Sequence, residues 1–346
     1  MNLNVIVKQK KEKIMAKILM QDYYKANDKM FWQPNPKADG APIWRFEGNP
    51  LFDPRDHYDK YWHIYNSATI MVDGKYVGVF RCDTAKGKPD LNMAYSDDGI
   101  HWTIDDETIK LYNPDGTRFD YLYAYDPRLI KIEDAYYVVF CADIEGPSVY
   151  IAKTTDFKYF EMIPGAFLPP NRNGTLFPEK VNGKYMALSR PFGDIAPGHI
   201  YISESPDMCY WGNHKLLMKK GQFPGSYWEQ NKIGAGPAPI KTDEGWILIY
   251  HGVQHSCNGF IYSIGVAVLD LEDPSKVKYR ANRFLMTPTE MYELTGFVPN
   301  VLFPCAALAD TQGRVSIYYG AADSTLGIAF TTIDNLIEFA KKHNGQ

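Results

Sequence analysis

The sequence predicts an all-β fold, a five-bladed β-propeller with short N-terminal and C-terminal helices. One pattern recurs five times: an apolar strand, a two-residue turn, a second strand that ends in an aromatic and then a polar residue, and a third strand with an aromatic shortly after it. The copies are spaced by roughly 50 to 70 residues, the length of one four-stranded blade. Aromatic residues make up 14% of the chain and hydrophobic residues 45%, which supplies strand formers and a core. The copies begin near Ala68, Arg128, Glu179, Ala238 and Ala306.

The segments outside the repeats predict two domain regions. Residues 1–43 are expected to form a helical arm and a wrapping loop, and residues 44–346 a single propeller domain with a C-terminal helix. Residues 8–28 carry apolar side chains at helical spacing and predict an amphipathic helix that packs on a blade or on a second subunit of a homo-oligomer. A frayed tail is the alternative. The Pro-rich residues 33–54 indicate the loop. In residues 333–344, Asp334 stands where a helix cap is expected.

Composition excludes several classes of protein. The net charge of −4 gives no electrostatic reason to expect nucleic acid or an anionic membrane as a partner. No apolar run approaches the roughly 20 residues of a membrane span, and the basic segment 8–17 lacks the apolar core of a signal peptide. Five cysteines without CxxC spacing indicate reduced thiols in a cytoplasm. Histidines and cysteines show no metal-ligand spacing, so no metal is predicted.

The repeat also predicts which residues share one rim of the central channel. Equivalent positions in a repeat occupy equivalent places around the axis, and in antiparallel strands the end of one strand lies beside the start of the next. Two arginines, a histidine and a carboxylate are therefore expected to converge, unless polar residues simply crowd the wet strand ends. The second strands place Arg81, Cys141, Arg190, His251 and Gly320 at one level, and the first strands begin near Asn66, Asp126, Thr175, Gly236 and Cys305.

Asp126 is the candidate general acid. It directly precedes a proline at the entrance of a first strand, between Tyr123 and Tyr125 on one side and Arg128 on the other. A carboxyl group held in such a place can deliver a proton to a substrate. The alternative, equally weighted on these residues, is that Asp126 pairs with Arg128 and braces the strand.

A cluster of cations points to an anionic substrate. Arg172, Lys180 and Arg190 fall within nineteen residues, and His251 shares the level of Arg190. Lys232 stands beside glycines that let a ligand approach the backbone. Cations around a cavity bind phosphate, whereas plain hydrolysis with neutral water needs no such cluster. The alternative is a set of ordinary surface salt bridges.

From about Trp44 to Phe339 the chain resembles glycoside hydrolase family 130, the inverting β-mannoside phosphorylases. The resemblance rests on long motifs, among them YAYDPR, NRNGTLFPEK, LSRP, KIGAGPAPI, IYHGV and YYGAAD. It implies a five-bladed propeller, inorganic phosphate as co-substrate and no other cofactor. It further implies Asp126 as catalytic acid, Arg172, Arg190, Lys232 and His251 as phosphate ligands, and Asn66, Ser67, Arg81, Asp83 and Asp323 as ligands of the mannosyl ring.

The resemblance also implies a mechanism that needs one carboxylate, because phosphate replaces the water that an inverting hydrolase activates with a second one. The acid acts through the 3-hydroxyl of the mannose, and the products are α-mannose 1-phosphate and a shortened sugar. Family members cleave β-1,4 links to mannose, glucose or N-acetylglucosamine, or else β-1,2-mannobiose and β-1,2-oligomannan. The segment from Phe192, FGDIAPGHIY, differs from that of the β-1,4 members and favours a β-1,2 link.

Two other functions remain open from the residues alone. A hydrolase of the same fold needs a second carboxylate, for which Asp83, Asp323 and Glu179 are available. A non-catalytic sugar-binding propeller needs aromatic platforms such as Trp62 and Tyr227, but no cation cluster.

Overall fold

The computed structural model describes residues 16–56, 58–85, 87–193 and 197–345. Five predominantly antiparallel sheets surround a central channel, and the chain folds as a five-bladed β-propeller, as the repeat predicted. A two-residue strand, β1 (Trp44–Arg45), precedes the blades. The first strand of each blade lies innermost, where it packs against its counterparts in neighbouring blades.

The first three blades follow one another along the chain. Blade 1 consists of β2 (Tyr61–Val72), β3 (Lys75–Thr84), β4 (Pro89–Ser96) and β5 (Thr103–Thr108). Blade 2 consists of β7 (Tyr123–Ile132), β8 (Ala135–Asp143), β9 (Pro147–Thr154) and β10 (Phe160–Ile163), with β6 (Leu111–Tyr112) parallel to β10. Blade 3 consists of β11 (Asn171–Leu176), β12 (Tyr185–Pro191), β13 (Ile200–Ser205) and β14 (Gly212–Met218).

The last two blades differ from this plan. In blade 4 two short strands, β15 (Lys232–Ala235) and β16 (Ile240–Thr242), both pair with β17 (Gly245–Ser256), which is followed by β18 (Gly259–Leu269) and β19 (Val277–Arg280). Blade 5 consists of β20 (Leu302–Ala309), β21 (Arg314–Ala321) and β22 (Thr325–Thr332). The helices are α1 (Gln21–Lys25), α2 (Met291–Leu294) and α3 (Ile333–Lys342), with 3₁₀ turns at Pro54–Asp56 and Tyr227–Glu229.

The ring is closed by a strand from the opposite end of the chain. β1 pairs antiparallel with β22, so that Trp44 faces Phe330 and Arg45 faces Ala329. The fourth strand of blade 5 therefore comes from the segment that precedes blade 1, and the outer edge of β22 is covered. The segment 33–54, predicted as a wrapping loop, contains this strand. The prolines of the segment gave no indication of it.

The inner strands of blades 1 to 3 carry a β-bulge at the same level. The register shifts between Tyr65 and Ala68 in β2, between Tyr125 and Arg128 in β7, and between Arg172 and Thr175 in β11. A bulge re-aims a side chain, and Asn and Asp tolerate the left-handed backbone better than other non-glycine residues. The residues in the bulges with positive φ are Asn66 (44°), Asp126 (51°) and Asn173 (53°). Asn173, and not Thr175 as predicted, is thus the blade 3 equivalent of Asp126.

The N-terminal helix is shorter than predicted. Residues 8–15 lie outside the described part of the chain, and the helix covers only Gln21–Lys25. Ile18 forms a β-bridge with Thr242, and the Leu19 amide donates to the carbonyl oxygen of Lys241. Ile18 is therefore buried through strand pairing with blade 4 and not through an amphipathic helix face.

The C-terminal helix is confirmed. Its apolar side chains Ile333, Leu336, Ile337 and Ala340 are buried. The cap is Thr332, whose hydroxyl accepts from the amide of Asn335 at 3.2 Å, and not the predicted Asp334. None of the helices within the described ranges is long and apolar enough to cross a membrane.

Candidate active site

One mouth of the channel holds a polar cavity of about 270 Å³ to which all five blades contribute. The mouth lies at the level of the three bulges, so the bulged residues of the inner strands reach it. Its lining residues are Asn66, Arg81, Pro89, Tyr123, Tyr125, Asp126, Arg172, Asn173, Arg190, Lys232, Tyr262, Val301, Phe303 and Asp323. The convergence expected from the repeat is therefore present: two of the aligned arginines and the aligned carboxylate line one cavity.

The carboxylate of Asp126 is held at one of its two oxygens. Asn66 Nδ2 donates to Asp126 Oδ1 at 3.0 Å, and Arg81 Nη1 donates to the same atom at 2.8 Å. No described residue donates to Oδ2. Arg128 bonds the main-chain carbonyl oxygen of Asp126 at 3.0 Å and not its carboxylate. The carboxylate is thus oriented by two donors while one oxygen stays free for a reacting hydroxyl.

Arg81 is surrounded by three carboxylates. Its Nε donates to Asp83 Oδ1 at 3.0 Å, and Tyr65 OH donates to Asp83 Oδ2 at 3.0 Å. Asp323 lines the cavity beside this group. The pKa of Asp323 is raised to about 7, mainly by burial and in part by the charges of Asp126 and Asp83, against the opposing effect of Arg81. The carboxyl group of Asp323 therefore carries a proton below about pH 7.

Two of the expected sugar ligands, Asp83 and Ser67, do not line the cavity. Asp83 accepts from Arg81, whereas Ser67 contacts the main chain. The side chain of Ser67 is fully buried, and its hydroxyl donates to the carbonyl oxygen of Tyr65 at 3.0 Å. In this arrangement Ser67 holds the bulge that presents Asn66.

The opposite wall of the cavity is cationic. Arg172 and Arg190 face each other as register partners in β11 and β12, and Lys232 begins β15 beside them. His251 lies behind Arg190, with its Nε2 3.1 Å from Arg190 Nη1. Within the described ranges none of the three cations forms an ion pair with a carboxylate. An unpaired group of cations in a partly buried cavity is a site for a multiply charged anion.

The mutual repulsion of these cations is visible in their pKa values. Burial, together with the charges of Arg190 and Arg172, lowers the pKa of Lys232 to about 8. Burial is also the main reason that the pKa of Arg190 falls to about 10. Burial and the charge of Arg190 hold the pKa of His251 well below its usual range, so this histidine is neutral at pH 7. Binding of an anion relieves the repulsion and therefore stabilises the charged form of Lys232.

The low pKa of Lys232 predicts a pH dependence of anion binding. As the pH rises through about 8, Lys232 in the free protein loses its proton and its positive charge. We expect the Kd for inorganic phosphate, used as the probe anion, to rise above pH 8 when binding is titrated from pH 6.5 to 9.5. Lys232→Arg is the matched control, because arginine stays charged over this range. The same alkaline rise of the Kd in Lys232→Arg would assign the titration to another group.

Four further residues named from the sequence lie outside the cavity. Lys180 forms a surface ion pair with Glu133 at 2.9 Å, so the salt-bridge alternative holds for this one residue. Glu179 accepts from Lys241 and does not line the cavity, which leaves Asp83 and Asp323 as the carboxylates near Asp126. The exposed rings of Trp62 and Tyr227 do not line it either.

Five lining residues were not singled out from the sequence: Pro89, Asn173, Tyr262, Val301 and Phe303. Asn173 adjoins Arg172, and shifting the blade 3 alignment by two residues would have placed it with Asn66 and Asp126. Tyr262 and Phe303 are aromatic, and aromatics are too frequent in this chain to mark a site. Lys232 Nζ lies 5.3 Å from the ring centroid of Tyr262.

Comparison with known proteins agrees with this geometry. The family model described as beta-1,4-mannooligosaccharide phosphorylase matches residues 41–342. The chain belongs to glycoside hydrolase family 130. The prediction from the sequence motifs is therefore confirmed.

Family 130 relatives of this chain include proteins named for two different linkages. The chain is 45% identical to a beta-1,4-mannooligosaccharide phosphorylase of Ruminococcus albus, over 90% of this chain and 95% of that protein. It is 37% identical to a beta-1,2-mannobiose phosphorylase of Listeria innocua, over 68% of this chain and 64% of the relative. A solved structure of a Listeria innocua beta-1,2-mannobiose phosphorylase in complex with beta-1,2-mannobiose superposes with a TM-score of 0.74. That match has 26% identity and covers 87% of this chain and 99% of the other.

Proposed function

We propose that this protein is an inverting β-mannoside phosphorylase that transfers a mannosyl group to inorganic phosphate. One observation carries the proposal: an oriented carboxylate, Asp126, and an unpaired cation cluster, Arg172, Arg190 and Lys232, line the same small cavity. The carboxylate suits a general acid, and the cations suit the nucleophile of a phosphorolysis. The products are α-D-mannose 1-phosphate and the released sugar.

The proposed reaction breaks the bond between the anomeric carbon and the glycosidic oxygen and forms a bond from that carbon to a phosphate oxygen. Asp126 passes its proton through the 3-hydroxyl of the mannose to the departing oxygen, while phosphate attacks from the opposite face. Asn66 and Arg81 both donate to Oδ1, and this leaves Oδ2 for the hydroxyl. Asp83 and Asp323 bind the mannosyl ring together with Arg81.

The proposed phosphate ligands bind the anion before the attack and stabilise its charge during the attack. Arg172, Arg190 and Lys232 neutralise the anion, which places it against the sugar without water between them. His251 is neutral, and its Nε2 accepts a hydrogen bond from Arg190 Nη1, which fixes the orientation of that guanidinium. No second carboxylate is required as a base, because phosphate is already a nucleophile.

For the substrate we propose β-1,4-mannooligosaccharides, since the relative with 45% identity over 90% of this chain bears that name. A second candidate is β-1,2-mannobiose. It is favoured by the segment from Phe192, FGDIAPGHIY, and by the Listeria innocua relatives. We also propose a cytoplasmic location, which the five free cysteines support.

Product analysis tests the proposal. The protein is incubated with β-1,4-mannobiose and, separately, with β-1,2-mannobiose, each with and without inorganic phosphate. We expect mannose 1-phosphate from at least one disaccharide, formed only when phosphate is present, and with β-1,4-mannobiose as the better substrate. Free mannose released equally fast without phosphate would replace the proposal by a hydrolase that uses Asp83 or Asp323 as base. Absence of any cleavage would leave a sugar-binding propeller.

A further inference from the structure

Arg128 is a buried arginine that the reaction as described does not use. It stands two residues after Asp126 in β7, and it is only 1% exposed. Its Nη1 donates to the carbonyl oxygens of Asp126 at 3.0 Å and Pro127 at 3.2 Å. Its Nε donates to the carbonyl oxygen of Gly236 at 2.8 Å, and its Nη2 to that of Ala235 at 3.3 Å. Every one of these acceptors belongs to the main chain.

The other fully buried arginine shows how different this arrangement is. Arg280 is also 1% exposed, but it donates to the carboxylate of Glu229 at 2.8 Å. Arg128 forms no ion pair with any carboxylate among the described residues. Burying a cation is costly unless it is well bonded, and a full set of carbonyl oxygens is the compensation here. Arg128 is therefore a buried cation without a carboxylate partner among the described residues, bonded to four main-chain carbonyl groups.

These carbonyl groups belong to the two sides of the active site. Asp126 and Pro127 form the bulge of blade 2 that carries the acid. The backbone of Asp126 is left-handed there, with φ 51°. Ala235 and Gly236 end and follow β15 of blade 4, the strand that begins at Lys232. The guanidinium carbon of Arg128 also lies 5.4 Å from the ring centroid of Phe303 in blade 5, which lines the cavity. One side chain of blade 2 thus bonds to blade 4 and contacts blade 5.

We propose that Arg128 is a positioning residue that fixes the acid-bearing bulge of Asp126 against the strand of Lys232, across the channel. This inference rests on the function proposed above. Inversion requires the proton donor and the nucleophile to reach opposite faces of one carbon, and a displacement of about 1 Å costs roughly a hundredfold in rate. A left-handed backbone is unfavourable for a residue other than glycine, so the bulge persists only if its surroundings hold it.

The planar fork of arginine is essential to this role. It directs several N–H groups at fixed angles and so binds two main-chain segments at once, whereas a lysine ammonium is a compact point charge on a flexible stem. Lysine at position 128 keeps the charge and loses the link between the blades. Methionine loses both. The two variants therefore separate the effect of charge on phosphate binding from the effect of position on proton transfer.

The experiment compares Arg128→Lys, Arg128→Met and Arg280→Met in phosphorolysis of the mannobiose that the parent protein cleaves. Arg280→Met is the matched control, since it removes an equally buried arginine from blade 4 outside the cavity. The measurements are kcat, the KM for phosphate, and the Tm. We expect Arg128→Lys to lose about 10-fold to 100-fold in kcat with a phosphate KM within twofold of the parent. Arg128→Met loses kcat similarly and also raises the phosphate KM several-fold. Arg280→Met lowers the Tm and keeps kcat within threefold.

Three results would overturn the inference. In the first, Arg128→Lys is folded at the assay temperature and keeps kcat within threefold. In the second, Arg280→Met loses as much kcat as the Arg128 variants at an equal loss in Tm, which assigns Arg128 a structural role only. In the third, Arg128→Lys keeps the parental kcat and phosphate KM while Arg128→Met raises the phosphate KM, which assigns Arg128 a role through its charge alone. If Arg128→Met does not fold, Arg128→Lys decides by itself. Failure of the proposed function is recognised separately, because the parent protein then lacks phosphate-dependent cleavage.

Discussion

Asp126→Asn is expected to fold normally and to lose roughly a hundredfold to ten-thousandfold in kcat on natural mannosides, the range that general acid catalysis supplies. The amide keeps the size of the side chain and a carbonyl oxygen for Asn66 and Arg81, but it cannot deliver a proton. The loss is expected to be largest where the departing sugar needs protonation and smaller for an activated aryl β-mannoside. Initial rates on mannobiose and on 4-nitrophenyl β-mannoside, with the Tm of each variant, provide the comparison.

A carboxylate outside the cavity serves as the control for this variant. Asp310 is fully buried and pairs with Arg314, so Asp310→Asn is expected to lower the Tm with little change in kcat. A mannobiose without its 3-hydroxyl should reproduce the loss seen in Asp126→Asn, because the proposed proton path runs through that group. Near-parental phosphorolysis by Asp126→Asn would move the acid to Asp83 or Asp323.

The second large effect is expected at the phosphate site. Arg190→Ala removes a charge-assisted contact worth about 1.5 to 3 kcal/mol, which corresponds to about a tenfold to 150-fold loss in kcat/KM for phosphate. It also leaves His251 without the Nη1 partner that lies 3.1 Å from its Nε2. We expect most of the loss in the KM for phosphate and a further part in kcat, measured at saturating mannobiose.

Lys180→Ala is the control for Arg190→Ala. Lys180 belongs to the same stretch of sequence, but it pairs with Glu133 at the surface, and its loss is expected to leave the KM for phosphate unchanged. Equal effects of the two substitutions would mean that net positive charge, and not contact in the cavity, determines phosphate affinity. Full activity of Arg190→Ala at low phosphate would assign the anion to Arg172 and Lys232 alone.

The repeat made much of this site predictable. Residues in equivalent strands occupy equivalent places around a propeller axis, so Arg81, Arg190 and Asp126 could be brought together from positions far apart in the sequence. The regular pattern of the second strand in each repeat showed that Arg81 and Arg190 lie at the same height along the axis. Family motifs then supplied roles that spacing cannot supply, because a role depends on which ligand enters the cavity.

What could not be predicted depends on contacts between distant segments. A bulge adds a residue to a strand without changing its pattern of polar and apolar residues. The comparison of the five repeats therefore placed Thr175, and not Asn173, at the position equivalent to Asp126. Ile18 has helical spacing, but pairing with Thr242 buries it in an extended segment. Lys180 carries the same charge as its neighbours Arg172 and Arg190, and only the position of Glu133 distinguishes it. Likewise, nothing in the motif YAYDPR indicates that Arg128 bonds to carbonyl groups of blade 4.

Closure of the ring by β1 and β22 has a consequence for how the molecule assembles. The paired residues Trp44 and Phe330 lie at nearly opposite ends of the chain. On the ribosome, β1 emerges well before β22 and must wait for its partner until the intervening blades have been made. Contacts between such distant segments form slowly, since a long loop has to be closed first. During that interval the nascent chain exposes the unpaired rim of an incomplete blade, the state in which strand-to-strand aggregation begins and in which a holding chaperone is of most use.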